Sequence, residues 1–172
     1  MQIGRLIRHM AAPRWRARLR FPSKTLDAIE QAIVRAELTH AGEIRFAIES
    51  ELAPLHILKG VTPRARAHDV FASLRVWDTE QNNGVLVFVQ LADRSVDIVA
   101  DRGFDGRVSP AEWAAVCRLM EEHFRAGRFE AGSIAGVDAI GTLLARHFPQ
   151  IPGQAGQTAS SRNQLPDRPT LL

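Results

Sequence analysis

The sequence predicts an α/β domain: a small mixed β-sheet, made of a strand–helix–strand crossover plus a hairpin and flanked by helices as an α/β/α sandwich. Three observations predict it. Residues 43–49 alternate strictly, with Ile44, Phe46 and Ile48 on one face, as a half-buried strand does. Residues 84–92 are almost continuously apolar, as a strand covered on both faces is. A helical pattern lies between these two strands, so they are expected to run parallel through a right-handed crossover. Only a short turn at residues 93–94 separates the second strand from a third, so that pair is expected to be an antiparallel hairpin.

The elements follow in order. Residues 1–24 form a basic N-terminal arm closed by Phe21 and Pro22. A first helix is expected over residues 25–40, where Leu26, Ile29, Ile33 and Ala36 recur at helical spacing and Gly42 suits the position beyond its end. After the first strand, residues 54–60 read as an irregular connection. Thr62 and Pro63 then supply a capping hydroxyl and a first-turn proline. Ala67, Val70, Phe71 and Leu74 make the inner stripe of that helix. Residues 96–101 alternate as the third strand. Ser109, Pro110 and Glu112 spell a capping box before the stripe of Trp113, Val116, Cys117, Met120 and Phe124, which Gly127 ends. A last helix is expected from Ser133 to Phe148, stopped by Pro149. Residues 150–172 are rich in proline and glycine and poor in apolar residues, which predicts a disordered tail. The domain proper is thus residues 25–149.

At 172 residues, with 45% apolar and 24% charged side chains, the chain can bury a core without staples. One cysteine, Cys117, excludes an internal disulfide and a thiolate metal cluster. No apolar run is long enough to span a bilayer and no signal-peptide pattern opens the chain, so the expected location is the cytoplasm, peripheral at a membrane surface. The net charge of +3 hides an asymmetry. Residues 1–24 carry seven basic side chains and no acid, and the remainder is mildly acidic. In the arm, Arg14, Arg16, Arg18 and Arg20 alternate around Trp15 and Leu19. That pattern suits an anionic membrane surface, or a protein embedded in one, better than nucleic acid.

Oxygen ligands concentrate in one place. With the hairpin centred between Asp93 and Arg94, residues whose numbers sum to 187 face each other, so Asn82 is expected opposite Asp105 and Gly84 opposite Gly103. Loops 77–83 and 101–108 then meet at one end of the sheet. Asp78, Asn82, Asp101 and Asp105 are the candidate metal ligands, a hard-oxygen set suited to Ca²⁺ or Mg²⁺. Asn83, Gly84, Gly103, Gly106 and Arg102 are the candidate ligand-binding positions. The glycines allow close backbone approach and Arg102 could pair with phosphate. Glu43 approaches from the start of the first strand. The histidines form no metal-binding pair. Cys117 sits on an apolar helix stripe as a core residue, and His40 near a helix C-terminus, where the dipole favours a cation.

Four separated segments carry a family resemblance: Asn82-Asn83-Gly84-Val85-Leu86, Ala92-Asp93-Arg94, Val96-Asp97-Ile98 and Gly103-Phe104-Asp105-Gly106. A fifth, Phe124-Arg125-Ala126-Gly127-Arg128-Phe129 followed by Gly132, completes it. Together they resemble the TPM domain family, over about residues 25–149, and are most similar to its short bacterial members. The resemblance implies a helix-flanked sheet with an acidic cleft able to bind divalent cations. It also implies two functional classes: an accessory or binding domain, and a metal-assisted phosphatase acting on phosphate esters. Asn83, Gly84, Gly103, Asp105 and Gly106 fall on motif positions, with Asp105 where glutamate is commoner. Asp78 and Asp101 enter from the hairpin geometry. The export signal and C-terminal anchor of many members are not visible here, and Trp77-Asp78-Thr79 replaces their glycine- and lysine-rich approach.

Overall fold

The computed structural model describes residues 2–11, 15–149 and 163–172. Four strands form one sheet in the order β3-β2-β1-β4. Strands β1 (Glu43–Glu49) and β2 (Gly84–Gln90) pair in parallel, and β2 and β3 (Ser95–Ala100) pair antiparallel. Both expected relations therefore hold. Strand β2 lies inside the sheet and is buried along its whole length, which is what its unbroken apolar run requires.

One face of the sheet carries the larger core. Ile44, Phe46, Ile48, Val85, Val87, Val89, Val96 and Ile98 pack there against α3 (Ser23–Glu37), α6 (Pro110–Arg125) and α7 (Phe129–His147). The other face is thinner: Ala47, Leu86, Phe88 and Val99 meet Ala67 and Val70 of α5 (Pro63–Ser73) and Leu165. The two predicted caps are both made. Thr62 Oγ1 accepts from Ala65 N, and Ser109 and Glu112 exchange the reciprocal bonds of a capping box. Helix α7 opens four residues before Ser133, because Phe129 is already packed against Phe21 and Phe124, with ring centroids 5.5 and 5.2 Å apart. Residues 54–58, expected to be irregular, form the short helix α4 (Pro54–Leu58), started by its proline.

Three expectations are corrected. The basic arm contains two helices, α1 (Gln2–Met10) and α2 (Trp15–Arg20), and Ala17 and Phe21 belong to the main core. Strand β1 is buried on both faces rather than one. Helix α5 covers part of the second face, and the third correction covers more of it: residues 163–172, expected within a disordered tail, return to the sheet and add β4 (Thr170–Leu171) parallel to β1. The remainder of the expected tail, residues 150–162, lies outside the described residues. The polar side of β1 holds the returning segment. Arg45 donates to the carbonyls of Pro166 and Arg168 and to Thr170 Oγ1, while Glu43 Oε2 accepts from Gln164 N and Leu165 N. Burial pushes the Glu43 carboxyl up to about 7.

Candidate functional site

The two loops do meet. The hairpin register pairs residues whose numbers sum to 185, as in Val85↔Ala100, so Asn82 meets Gly103 rather than Asp105. Gly103 N donates to Asn82 O at 2.9 Å, and Asp101 N to Gly84 O at 2.9 Å. The slip from the expected register is two residues, and an even slip leaves every side chain on its expected face. Its cause is Arg94, which takes a left-handed conformation (φ 56°) and closes the turn directly before Ser95.

The candidate residues separate into two groups. Asn83 and Gly84 hold the loops in place. The Asn83 side chain is buried and its Nδ2 donates to Ala41 O at 2.6 Å, while its backbone carbonyl accepts from Glu43 N at 3.2 Å. Thr79 Oγ1 accepts from Asn83 N at 3.0 Å and closes loop 77–83 on itself. Gly84 is pressed against Val76, whose carbonyl oxygen would lie 2.0 Å from an added Cβ. Gly103 is pressed against loop 77–83 in the same way. Asn82, at φ 51°, turns its Oδ1 outward to accept from Arg102 Nε at 2.9 Å, which ties the lips of the two loops together.

The second group faces a cleft. Asp101, Asp105 and Gly106 line one end of a groove of about 650 Å³ that runs along the outer edge of β3 beside α6. Asp105 and Gly106 are exposed, and Gly106 makes its turn at φ 71°. Asp101 is buried. Its Oδ1 accepts from Arg102 N at 2.7 Å and caps the 3₁₀ turn Arg102–Phe104, whereas its Oδ2 is buried with no hydrogen-bond partner. Asp78 is exposed and does not line this groove. Among the described residues, no three histidine, cysteine or acidic side chains converge closely enough to hold a metal ion. Any cation here would draw on amide and backbone oxygens besides carboxylates.

Sequence reasoning missed the far end of the groove. Asp97 and Glu121 line it with Arg64 and Arg118. Glu121 Oε1 accepts from Val96 N at 3.1 Å and Arg64 donates to Ile98 O, so both side chains occupy edge groups of β3 that no strand pairs. Burial is the main cause that raises the Asp97 carboxyl above its ordinary value, with Glu121 adding to it and Arg64 opposing. Cys117 also borders the groove. Burial, then Asp97 and Glu121, push its thiol up to about 11, so it stays protonated and is a poor nucleophile. The only sequence signal for this end was the alternation that sets Asp97 between Val96 and Ile98. His40 is corrected: it is buried, and desolvation pushes it down to about 4, so it is neutral.

Comparison with known proteins agrees with this architecture. The TPM domain matches residues 20–143. Among solved structures, the chain is similar to the BA42 protein of the psychrophilic bacterium Bizionia argentinensis, determined by NMR. The TM-score is 0.72 at 28% identity, over 87% of this chain and 94% of that one. No curated protein sequence matches. The matched span runs from α2 to α7 and takes in both loops, the cleft and the hairpin that joins them: this chain belongs to the TPM domain family.

Proposed function

We propose that the chain is a binding domain whose cleft takes a divalent cation, Ca²⁺ or Mg²⁺, at the end where loops 77–83 and 101–106 meet. One observation carries the reading: the Asp101 Oδ2 atom, buried at the cleft wall without a hydrogen-bond partner. A buried carboxylate oxygen without a partner is costly, and a hard cation is a partner that repays the cost. Asp105 stands beside it, and the family motif includes that position. Asn82 belongs to the same loop junction, and amide oxygens are ordinary Ca²⁺ ligands. With few carboxylates, affinity is expected to be weak and Ca²⁺, which tolerates irregular oxygen shells, to be preferred over Mg²⁺.

The test is a melting scan of the full chain with and without each ion. A cation that binds only the native form, at about 100 times its dissociation constant, adds about 2.7 kcal/mol. For a chain of this size that raises the midpoint by roughly 5–11 °C. Asp101→Asn keeps a side-chain oxygen to cap the 3₁₀ turn but removes the charge. It is expected to leave the metal-free midpoint nearly unchanged and to abolish the shift. No shift with either ion at millimolar concentration would remove the proposal.

A second reading, a weak metal-assisted phosphatase, is favoured by Arg102, whose guanidinium is fixed by Asn82 Oδ1 at the loop junction, next in sequence to Asp101. A cation there would polarise a phosphoryl oxygen, and Arg102 would hold the phosphate. Cation-dependent hydrolysis of p-nitrophenyl phosphate that falls at least about tenfold in Asp105→Asn, a barrier change of about 1.4 kcal/mol, supports it. Midpoint shifts without turnover leave the binding domain alone.

A further inference from the structure

Helix α1 is turned inside out. An ordinary surface helix buries its apolar stripe and shows its polar face to water. Here the most inward residue is His9, flanked by half-buried Arg5 and Leu6. Arg5 Nε and Nη2 donate to Asp93 at 2.9 and 2.6 Å, and Arg5 Nη1 donates to Val61 O at 2.7 Å. His9 is 2% exposed, and its Nδ1 accepts from Leu52 N at 2.8 Å. The opposite face carries Ile3, Ile7 and Met10, spaced i, i+4, i+7, at 75%, 60% and 72% exposure. The domain spends a buried ion pair to hold a helix whose apolar face it leaves to water.

Two further helices expose apolar side chains of their own. Helix α4 packs against α1 and exposes Leu55 and Leu58, while its Ile57 is buried. Helix α2 follows within a few residues and exposes Trp15 and Leu19. Arg8, Arg16, Arg18 and Lys59 are exposed on or beside these helices, and residues 1–24 contain no acid.

We infer that α1, α4 and α2 form a docking face for an anionic lipid bilayer, with Ile3, Ile7, Met10 and the α4 leucines entering the headgroup–acyl boundary and the arginines meeting lipid phosphates. Two features select this occupant. Apolar side chains interleaved with arginine and free of acid match the interfacial layer of an anionic membrane, where both classes are satisfied together. A second copy is disfavoured: a two-fold contact through this face would set the same arginines against each other with no acid to neutralise them. The helix is also already folded and fixed by Asp93, so binding does not have to meet the entropy of ordering it, as free interfacial peptides do.

The test is co-sedimentation of the full chain with phosphatidylcholine vesicles, with and without phosphatidylglycerol. Binding is expected only when phosphatidylglycerol is present, and it should weaken at least about tenfold between roughly 0.05 and 0.5 M salt, as screening shortens the reach of the arginines. The double variant Ile3→Asp, Ile7→Asp changes only exposed positions. It should keep the wild-type melting midpoint and lose at least about tenfold in vesicle affinity. Arg16→Glu with Arg18→Glu, tested separately, should weaken binding to phosphatidylglycerol vesicles and reduce its salt dependence. The inference is overturned if the wild type leaves phosphatidylglycerol vesicles bare at low salt, or if the double aspartate variant binds as the wild type does. It is also overturned if the same variant abolishes a concentration-dependent dimer while vesicles stay unbound, which would assign the face to a second copy.

Discussion

Gly103→Ala tests the junction on which the site depends. A Cβ at Gly103 would lie 2.3 Å from Asn82 O and 3.0 Å from Gln81 O, both backbone atoms of the facing loop. Backbone cannot swing aside as a long side chain can, so the loops must part by about 1 Å to restore van der Waals contact. That movement stretches the Gly103 N to Asn82 O bond, now 2.9 Å. Losing it costs about 0.5–1.5 kcal/mol, and the overpacking about 1–3 kcal/mol. Alanine recovers about 0.4–1 kcal/mol by restricting the unfolded chain, which leaves a net loss of roughly 0.5–4 kcal/mol. Gly106→Ala is the control. Nothing lies within 4 Å of its added Cβ, and only the positive φ of 71° opposes it. That strain costs about 1–2 kcal/mol before the same unfolded-state gain, so the net loss is about 0–1.6 kcal/mol. Urea unfolding of both variants against wild type measures the difference. Gly103→Ala should also shrink the cation-induced midpoint shift, because parted loops no longer share a ligand. If Gly103→Ala is no less stable than Gly106→Ala, the loops are not in the contact described and the shared pocket fails with them.

Two further outcomes are expected. Burial raises Glu43 to about 7 and Glu37 to about 9, so between roughly pH 4.5 and those values the native state holds protons that the unfolded chain has released. Stability should therefore fall as pH rises from 5 to 8. Glu43→Gln should flatten the lower part of that fall, by an amount of order 1–3 kcal/mol in urea unfolding, and a slope unchanged by the variant would assign it elsewhere. Asp93→Asn removes the charge that Arg5 grips from α1, a charge-assisted bond worth about 1.5–3 kcal/mol. Hydrogen exchange in α1 should accelerate with little change in β2, and equal acceleration in both would mean that the pair supports the whole fold.

Local rules carried most of the reading. Alternation placed β1, the apolar run placed β2 inside the sheet, and hydroxyl-then-proline pairs placed the starts of α5 and α6. What was hidden depends on contacts between distant residues. Nothing near Glu43, Arg45 or Glu49 says that the polar side of β1 is covered. Arg45 is held by residues more than a hundred positions away, and Glu49 by Arg66 at 2.8 Å and Gln90 at 3.0 Å. A segment poor in apolar residues reads as disordered, yet residues 163–172 are held by hydrogen bonds to Glu43 and Arg45, with Leu165 in the thinner core and Leu172 packed against it. Nothing in the arm's own sequence marks Arg5 as an inward residue, and only the position of Asp93 shows that it turns inward. The candidate loops were legible because their meeting follows from a hairpin, and a hairpin forgives a slip of two. Which of their residues face the cleft was not, because Asn83 and Asp101 are equally polar on paper.

The buried polar groups themselves separate structure from function. Asn83 is matched by Ala41, Glu49 by Arg66 and Gln90, Asp93 by Arg5, and Glu43 by the backbone of residues 164 and 165. In each case a buried polar side chain finds its partner in a remote part of the same chain, and the pair fixes one segment on another. Such residues need no ligand to explain them, however well they match a motif. Asp101 breaks the pattern: one oxygen caps a turn and the other reaches the cleft wall unmatched. The outer face of α1 breaks it in the opposite sense, with apolar groups left in water while ionic groups are buried beneath them. Folding does not account for either feature, since a capped turn needs only one carboxylate oxygen and a docked helix would gain by rolling its isoleucines inward. On the readings proposed above, an external partner, a hard cation for the first and a lipid surface for the second, would supply the compensation that the chain withholds.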